Sequence, residues 1–132
     1  MALVFPDVGE NLALEMIVNK TAPQSTILKL YQNNITPAEG DTAATYTEAT
    51  FTGYASIALA GASWGAASGG SIAFAQQTFT STANQTAQLI YGYYVIQTTS
   101  TILLYSERFT DGPYSIANNG DLIRVTPTIT AS

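Results

Sequence analysis

Carboxylates and hydroxyls are the candidates for chemistry in this chain of 132 residues, because the sequence contains no His and no Cys. Two pairs of carboxylates lie close together in sequence, Glu39 with Asp41 and Glu107 with Asp111. Glycoside hydrolysis needs two carboxyl groups at a suitable separation, so each pair is a candidate acid and base. Acidic side chains in polar stretches are usually solvated, however. We therefore predict a surface turn for the first pair, a hairpin end for the second, and no enzymatic activity.

A group of oxygen-bearing residues near the C-terminal end is a candidate calcium site. It consists of Asp111, Asn118, Asn119 and Asp121. Calcium takes six to eight oxygen ligands from such side chains and from backbone carbonyls, but the spacing matches no EF-hand loop. Asp and Asn also bond to their own backbone in turns. We predict two turns here and no cofactor, with a calcium ion between Asp111 and Asp121 as the alternative.

Aromatic side chains are candidates for a platform that binds a sugar or a protein, because rings offer apolar area with a polar tip. They are Trp64, Tyr91, Tyr93, Tyr94, Tyr105 and Tyr114. For the tyrosines within predicted strands we favour core packing. Trp64 differs because it lies in the glycine-rich residues 61–70, with no strand around it. Docking onto a neighbouring subunit and folding back onto the core both remain open for this ring.

The composition argues against nucleic acid and membranes as partners. Only 10% of residues are charged, the net charge is −5 and the sequence pI is about 4.2. An acidic chain is poorly suited to nucleic acid or to an anionic membrane, and no stretch approaches the ~20 apolar residues that span a bilayer. Residues 1–18 lack the basic start of a signal peptide, so we expect synthesis in the cytoplasm. A surface so poor in charge favours burial against other protein subunits.

One helix is predicted near the N-terminus, over about residues 8–19. Asp7 and Glu10 have the spacing of a capping box, and the residues before Pro23 end the helix. Leu12 and Met16 have helical spacing, although the alternation of apolar residues over 12–18 also fits a strand. We expect the helix and keep the strand as the alternative.

The rest of the chain reads as strands separated by turns rich in Gly, Pro and Asn. The predicted strands are residues 26–32, 45–50, 54–60, 71–80, 87–97, 101–109 and 122–130, with a surface loop over 33–43. Residues 87–97 are apolar on both faces, which is typical of a central strand, and Thr98 to Ser100 predict a hairpin into the next one. Pro127 marks the last strand as an edge or bulged strand. We therefore predict one domain, residues 1–132, with an all-β fold: an antiparallel β-sandwich or barrel of about seven strands with one short N-terminal helix.

Four phrases of the sequence carry a family resemblance. They are KLYQNNITP (29–37), GDT (40–42), LLYSERFTDGP (103–113) and NGDLIRVTP (119–127). Together they resemble a family of small virion proteins of tailed bacteriophages, and the similarity covers most of the chain. The resemblance implies a structural role, either as a cement or decoration protein attached to the capsid or as part of the tail. It carries over no catalytic or ligand residues.

We therefore expect a non-enzymatic capsid cement protein on the exterior of a virion. It would bind the outer face of the shell of major capsid protein, as a homo-oligomer, and stabilise the contacts between capsomers. The expected contact segments are residues 1–7, 61–70 and 126–132. The candidate interface residues are Leu3, Val4, Phe5, Trp64, Tyr114, Pro127 and Ile129. A tail component (tube, baseplate or fibre) is the first alternative, and a carbohydrate-binding module is the second.

Overall fold

The fold is all-β with one short N-terminal helix, as predicted. A computed structural model describes residues 3–131, and this part of the chain contains one α-helix and ten short strands. In chain order the elements are α1 (Asp7–Ile17), β1 (Thr26–Tyr31), β2 (Ile57–Leu59), β3 (Ser71–Ala73), β4 (Gln77–Thr80), β5 (Gln88–Ile90), β6 (Gly92–Gln97), β7 (Leu103–Arg108), β8 (Tyr114–Ile116), β9 (Leu122–Val125) and β10 (Thr128–Thr130). Two 3-10 turns, Ala43–Thr45 and Gly61–Ser63, lie in the connections.

The strands form one larger antiparallel sheet and three small ones. The larger sheet has the order β2-β1-β6-β7, and the two-stranded sheets pair β3 with β10, β4 with β9, and β5 with β8. All six residues of β6 are buried, and β6 pairs with β1 on one side and β7 on the other. The predicted central position of this strand and its hairpin to β7 are therefore confirmed.

Hydrophobic side chains cover both faces of the larger sheet. Residues that pair across antiparallel strands point to the same face, so Leu28, Val95 and Tyr105 share one face, where the main core cluster lies. Tyr94 and its neighbour Ile96 point to the opposite face and join a smaller cluster. This smaller cluster also contains Tyr31, Tyr46 and Leu103. The sheet is thus packed on both sides.

The capping box predicted for α1 is wrong. The helix begins one residue earlier than expected, so Pro6 is the N-cap and no side chain caps the helix. The carbonyl of Pro6 accepts from the amides of Gly9 and Glu10, and the amide of Asp7 donates to the carbonyl of Glu39 at 2.8 Å. Asp7 and Glu10 still lie in the first turn, where negative charge complements the helix dipole.

The strand predicted over residues 45–50 is also wrong. The segment opens with the 3-10 turn and then runs extended, joined to β1 through a single bridge between Tyr31 and Glu48. Two backbone bonds form this bridge, from the amide of Gln32 to the carbonyl of Thr47 and from the amide of Ala49 to the carbonyl of Leu30, both at 2.9 Å. Side-chain amides add further bonds to the segment. Asn33 Oδ1 accepts from the amide of Thr47, and Gln88 Oε1 accepts from the amide of Thr50.

Three predicted strands are each divided in two, so the six predicted strands that form give nine, and the unpredicted β8 makes ten. Residues 71–80 form β3 and β4, residues 87–97 form β5 and β6, and residues 122–130 form β9 and β10. The last division falls at Pro127, which has no amide hydrogen and whose carbonyl accepts from Phe74 at 2.8 Å. The strand β8, in a region predicted to contain turns, was missed, and residues 54–60 contribute only β2.

Candidate protein interaction surfaces

The first carboxylate pair, Glu39 and Asp41, makes hydrogen bonds that stabilise the fold. Asp41 accepts hydrogen bonds from the amide of Ala38 at 2.9 Å and from the hydroxyl of Tyr46 at 2.8 Å. Glu39 is exposed and uses its backbone carbonyl to hold the start of α1. Asp41 therefore stabilises the loop over residues 33–46.

The second carboxylate pair is divided between a strand and a turn. Glu107 is half-buried near the end of β7, and the loss of solvation there raises the pKa of its carboxyl. Asp111 is exposed in the turn that follows β7. The turn after β7 does not join paired strands, because β7 pairs with β6 whereas β8 pairs with β5. The hairpin end predicted for this pair is therefore wrong.

Residues of the candidate calcium site form hydrogen bonds that stabilise turns. Asp121 Oδ2 accepts from the amides of Ala117 at 2.9 Å and Asn118 at 2.8 Å, and these bonds lower the pKa of the Asp121 carboxyl. The amide of Asn119 donates to Asn84 Oδ1 at 2.9 Å. Within residues 3–131, no three acidic side chains lie close enough together to hold a metal ion.

The strand tyrosines pack in the core, as the sequence analysis favoured. Tyr93, Tyr94 and Tyr105 are buried, and burial raises the pKa of each of their hydroxyls. Tyr91 is half-buried under the guanidinium of Arg108, which lies 5.0 Å from its ring centre. These four rings are therefore not part of an exposed platform of the kind a sugar would stack on.

Trp64 is half-buried and folds back onto its own chain. Its ring lies edge-on to Phe74, with 5.4 Å between the ring centres, and it packs against the main core cluster. The 3-10 turn Gly61–Ser63 leads directly into Trp64, whose amide donates to the carbonyl of Gly61 at 3.4 Å. The amide of Gly61 in turn donates to Ser25 Oγ at 3.3 Å, which ties the turn to the start of β1.

An open cavity of about 290 Å³ lies beside Trp64, and we call it the Trp64 cavity. It is lined by Gln24, Ser25, Thr26, Leu59, Gly61, Trp64, Ile72, Leu104, Tyr105 and Ile129. Most of these side chains are apolar and none is charged. Two of the predicted interface residues, Trp64 and Ile129, therefore line the same concave site. The sequence analysis did not predict this cavity, because the residues that line it come from five separate segments of the chain.

A second apolar surface lies on the outer side of α1. Leu14, Ile17 and Val18 are exposed by 62%, 79% and 72%, respectively, and we call these three residues the α1 patch. Beside the patch runs a groove between α1 and β10, lined by Phe5, Glu10, Ala13, Leu14, Ile129, Thr130 and Ala131. The sequence analysis missed this patch. The signal was present, because residues 14, 17 and 18 have helical spacing outside the inward-facing positions of Leu12 and Met16.

The other predicted interface residues are mostly engaged within the chain. Val4 pairs with Ser106 through two backbone hydrogen bonds of 2.8 and 3.0 Å, so the N-terminal arm covers the outer edge of β7. The ring of Phe5 lies 5.5 Å from that of Tyr105, and Leu3 also packs on the core. Pro127 is buried, whereas Tyr114 is 38% exposed on β8. Met1, Ala2 and Ser132, the outermost residues of the predicted terminal contact segments, lie outside the described residues.

Within residues 3–131, no helix is both long enough and apolar enough to cross a membrane. Comparisons with models of known protein families and with curated proteins find no match for this chain.

Proposed function

We propose that this chain is a non-enzymatic structural protein of a tailed-phage virion, and specifically a capsid cement protein. It binds the outer face of the shell of major capsid protein and stabilises the contacts between capsomers. The observation that carries the proposal is the Trp64 cavity, an open and uncharged concave site beside the largest side chain of the chain. The sequence phrases that resemble small virion proteins supply the class of partner.

The chemistry of the Trp64 cavity suits a protein anchor. Binding energy at protein interfaces concentrates where an apolar or aromatic side chain of one partner fills a desolvated pocket of the other. The cavity has room for one or two such side chains, and its walls include Leu59, Ile72 and Trp64. Because no charged residue lines it, an apolar anchor can enter without leaving an ionised group unpaired in the contact.

The basic residues support a position on the outside of the shell, away from packaged DNA. Lys20 pairs with Glu15 at 3.0 Å and Lys29 with Glu48 at 2.9 Å. Arg108 donates to the carbonyl of Ile35 at 2.6 Å. Three of the four basic side chains are therefore engaged within the chain, and the net charge of −5 repels phosphate.

A cement function follows from linkage. A molecule that binds assembled capsomers and has no affinity for dispersed ones shifts the equilibrium toward the assembled shell. A folded chain with a preformed cavity loses little conformational freedom on binding, so more of the contact energy is retained.

The direct test is reconstitution with shells that lack this chain. We expect the purified protein to bind such shells saturably, on their outer face, and to raise the temperature at which they disassemble. A tail component would bind purified tails and leave the shells unoccupied. Binding to immobilised polysaccharide together with absence from both parts of the particle would overturn the proposal in favour of a carbohydrate-binding module.

A further inference from the structure

We propose that the α1 patch is a self-association surface, on which α1 of one chain packs antiparallel against α1 of a second copy across a twofold axis. This proposal rests on the proposed function, for which the sequence analysis expects a homo-oligomer, and it specifies the contact between the copies. Its test uses the purified chain alone, so that the capsid assignment and the self-association can fail independently.

The first argument is that α1 carries apolar residues on its exposed side as well as on the side that faces the core. Gly9, Leu12 and Met16 face the core, where Gly9 lies so close to the carbonyl of Leu104 that a methyl group has no room. Leu14 and Ile17 are apolar as well, yet they point outward. A helix that is apolar on both sides is typical of a helix packed on both sides.

The second argument is the size and shape of the exposed surface. The three side chains of the α1 patch together expose an apolar area on the order of a few hundred Å², which is the size of the largest apolar patch on a typical monomer, and such patches are often functional. Ala13, Leu14 and Ile17 have the i, i+1, i+4 spacing of one helix face, and the small Ala13 lines the groove beside β10. A second helix therefore has both a ridge to pack against and a groove to enter.

The third argument is charge, and it selects a second copy in antiparallel orientation. Asp7 and Glu10 lie in the first turn of α1, whereas Lys20 follows the last turn and its side chain is 70% exposed. An antiparallel pair that sets Leu14 against Ile17 of the second copy places the C-terminal end of the second helix, which Lys20 follows, beside the first turns of α1 that carry Glu10. A parallel pair would place the two Glu10 side chains together. The acidic first turn also disfavours an anionic lipid surface as the occupant.

Lys20 can exchange its partner within the chain for this contact at low cost. Its present partner is Glu15, at 3.0 Å, in a pair that is exposed to solvent. Exposed ion pairs contribute little to stability. Exchange of Glu15 for Glu10 of the second copy therefore leaves the fold of each chain unchanged.

The experiment is sedimentation velocity of the purified chain over a wide concentration range. We expect a reversible dimer, and we expect Ile17→Ser to raise its dissociation constant by at least tenfold. Leu122→Ser is the matched control. Leu122 is also an exposed apolar residue, with 41% of it exposed, but it lies on β9, which pairs with β4, and not on α1. Circular dichroism of both variants checks that the fold is retained, as the exposure of Ile17 predicts.

A charge exchange tests the orientation. Lys20→Glu should weaken the dimer, and the double variant Lys20→Glu with Glu10→Lys should restore it, because the exchanged charges again face each other across the contact. Within one chain Lys20 pairs with Glu15 rather than with Glu10, so recovery reports on the contact between copies. A wild-type chain that stays monomeric, an Ile17→Ser dimer as tight as the wild type, or a double variant without recovery would each overturn the proposal.

Discussion

The hydroxyls of Tyr46 and Ser106 lie 2.7 Å apart at the smaller hydrophobic cluster, although the two residues are separated by 60 positions in the sequence. Tyr46 donates its single proton to Asp41 Oδ2 at 2.8 Å. The hydroxyl of Ser106 must therefore be the donor to Tyr46. This chain of hydrogen bonds runs from the side chain of Asp41 in the loop to a serine of β7 that is 1% exposed.

Tyr46→Phe should lower the free energy of unfolding by about 2 kcal/mol, because it removes the acceptor of the buried Ser106 hydroxyl and a donor to Asp41. Urea denaturation measures the change. Tyr114→Phe is the matched control, since Tyr114 lies exposed on β8, and its effect should stay within about 0.5 kcal/mol. Equal effects of the two variants would contradict the role assigned to the Tyr46 hydroxyl.

Gly92→Ala should destabilise the larger sheet strongly. A methyl group on Gly92 would meet the carbonyl of Glu107 and the Tyr31 ring, whose Cε1 and hydroxyl oxygen would both lie 2.6 Å from the added methyl carbon. Both Gly92 and Tyr31 are buried, so neither has space to move, and we expect a loss of about 3 kcal/mol or complete failure to fold. Gly40→Ala is the control, because nothing lies within 4 Å of a methyl group there. A Gly92→Ala variant as stable as the Gly40→Ala variant would show that the packing around β6 is looser than described.

Stability should fall steeply in alkaline solution. Burial raises the pKa of Tyr31 and of Tyr94 from 10.0 to about 12, and it also raises the pKa of Tyr46, Tyr54, Tyr93 and Tyr105. A group whose pKa is raised by folding stabilises the protein fully below its unfolded pKa and loses that contribution as the pH rises through its folded pKa. The loss should therefore begin near pH 10 and continue through pH 12.

Phenolate absorbance and circular dichroism, followed together during alkaline titration, check this expectation. The buried tyrosines should ionise in step with the loss of the β signal. Full ionisation of all eight tyrosines with the fold intact would contradict the burial of Tyr31, Tyr46, Tyr93, Tyr94 and Tyr105.

Gly61→Leu should block the Trp64 cavity without disturbing the fold. Gly61 lines the cavity, and a Cβ on it meets nothing within 4 Å. A leucine at this position competes with a partner side chain for the same space, so we expect at least tenfold weaker binding to shells. Gly40→Leu is the matched control, as Gly40 is equally open and lies outside the cavity lining. Binding that is unchanged by Gly61→Leu would exclude the cavity as the contact site.

Those parts of the fold that depend on local patterns could be predicted from the sequence. The apolar run over β6 and the short loop after it indicated a central strand that pairs with β7, and the alternation in β1 indicated a strand. The pairing of β1 with β6 was not predicted. The helix was placed within two residues at its C-terminal end, although its cap was assigned wrongly. A shift of one residue at the start moved Asp7 from the cap into the first turn.

The other features of the fold and of the candidate site depend on contacts between segments that are distant in the sequence. The amides of Thr47 and Thr50 donate to the side-chain oxygens of Asn33 and Gln88, respectively, and these bonds help to hold residues 45–50 extended beside a single bridge to β1. No local pattern reveals them. The Trp64 cavity likewise needs Trp64 to fold back against Phe74 while β10 supplies Ile129. The α1 patch was accessible to sequence reasoning in principle, because its residues are adjacent on one helix.

The most direct test of the central claim is cryo-electron microscopy of intact particles, with this chain fitted into the averaged shell and tail. The account predicts density for the chain repeated over the outside of the shell, with the Trp64 cavity against a capsid subunit and α1 against α1 of a second copy. Density confined to the tail, or its absence from the whole particle, would contradict the assignment as a cement protein.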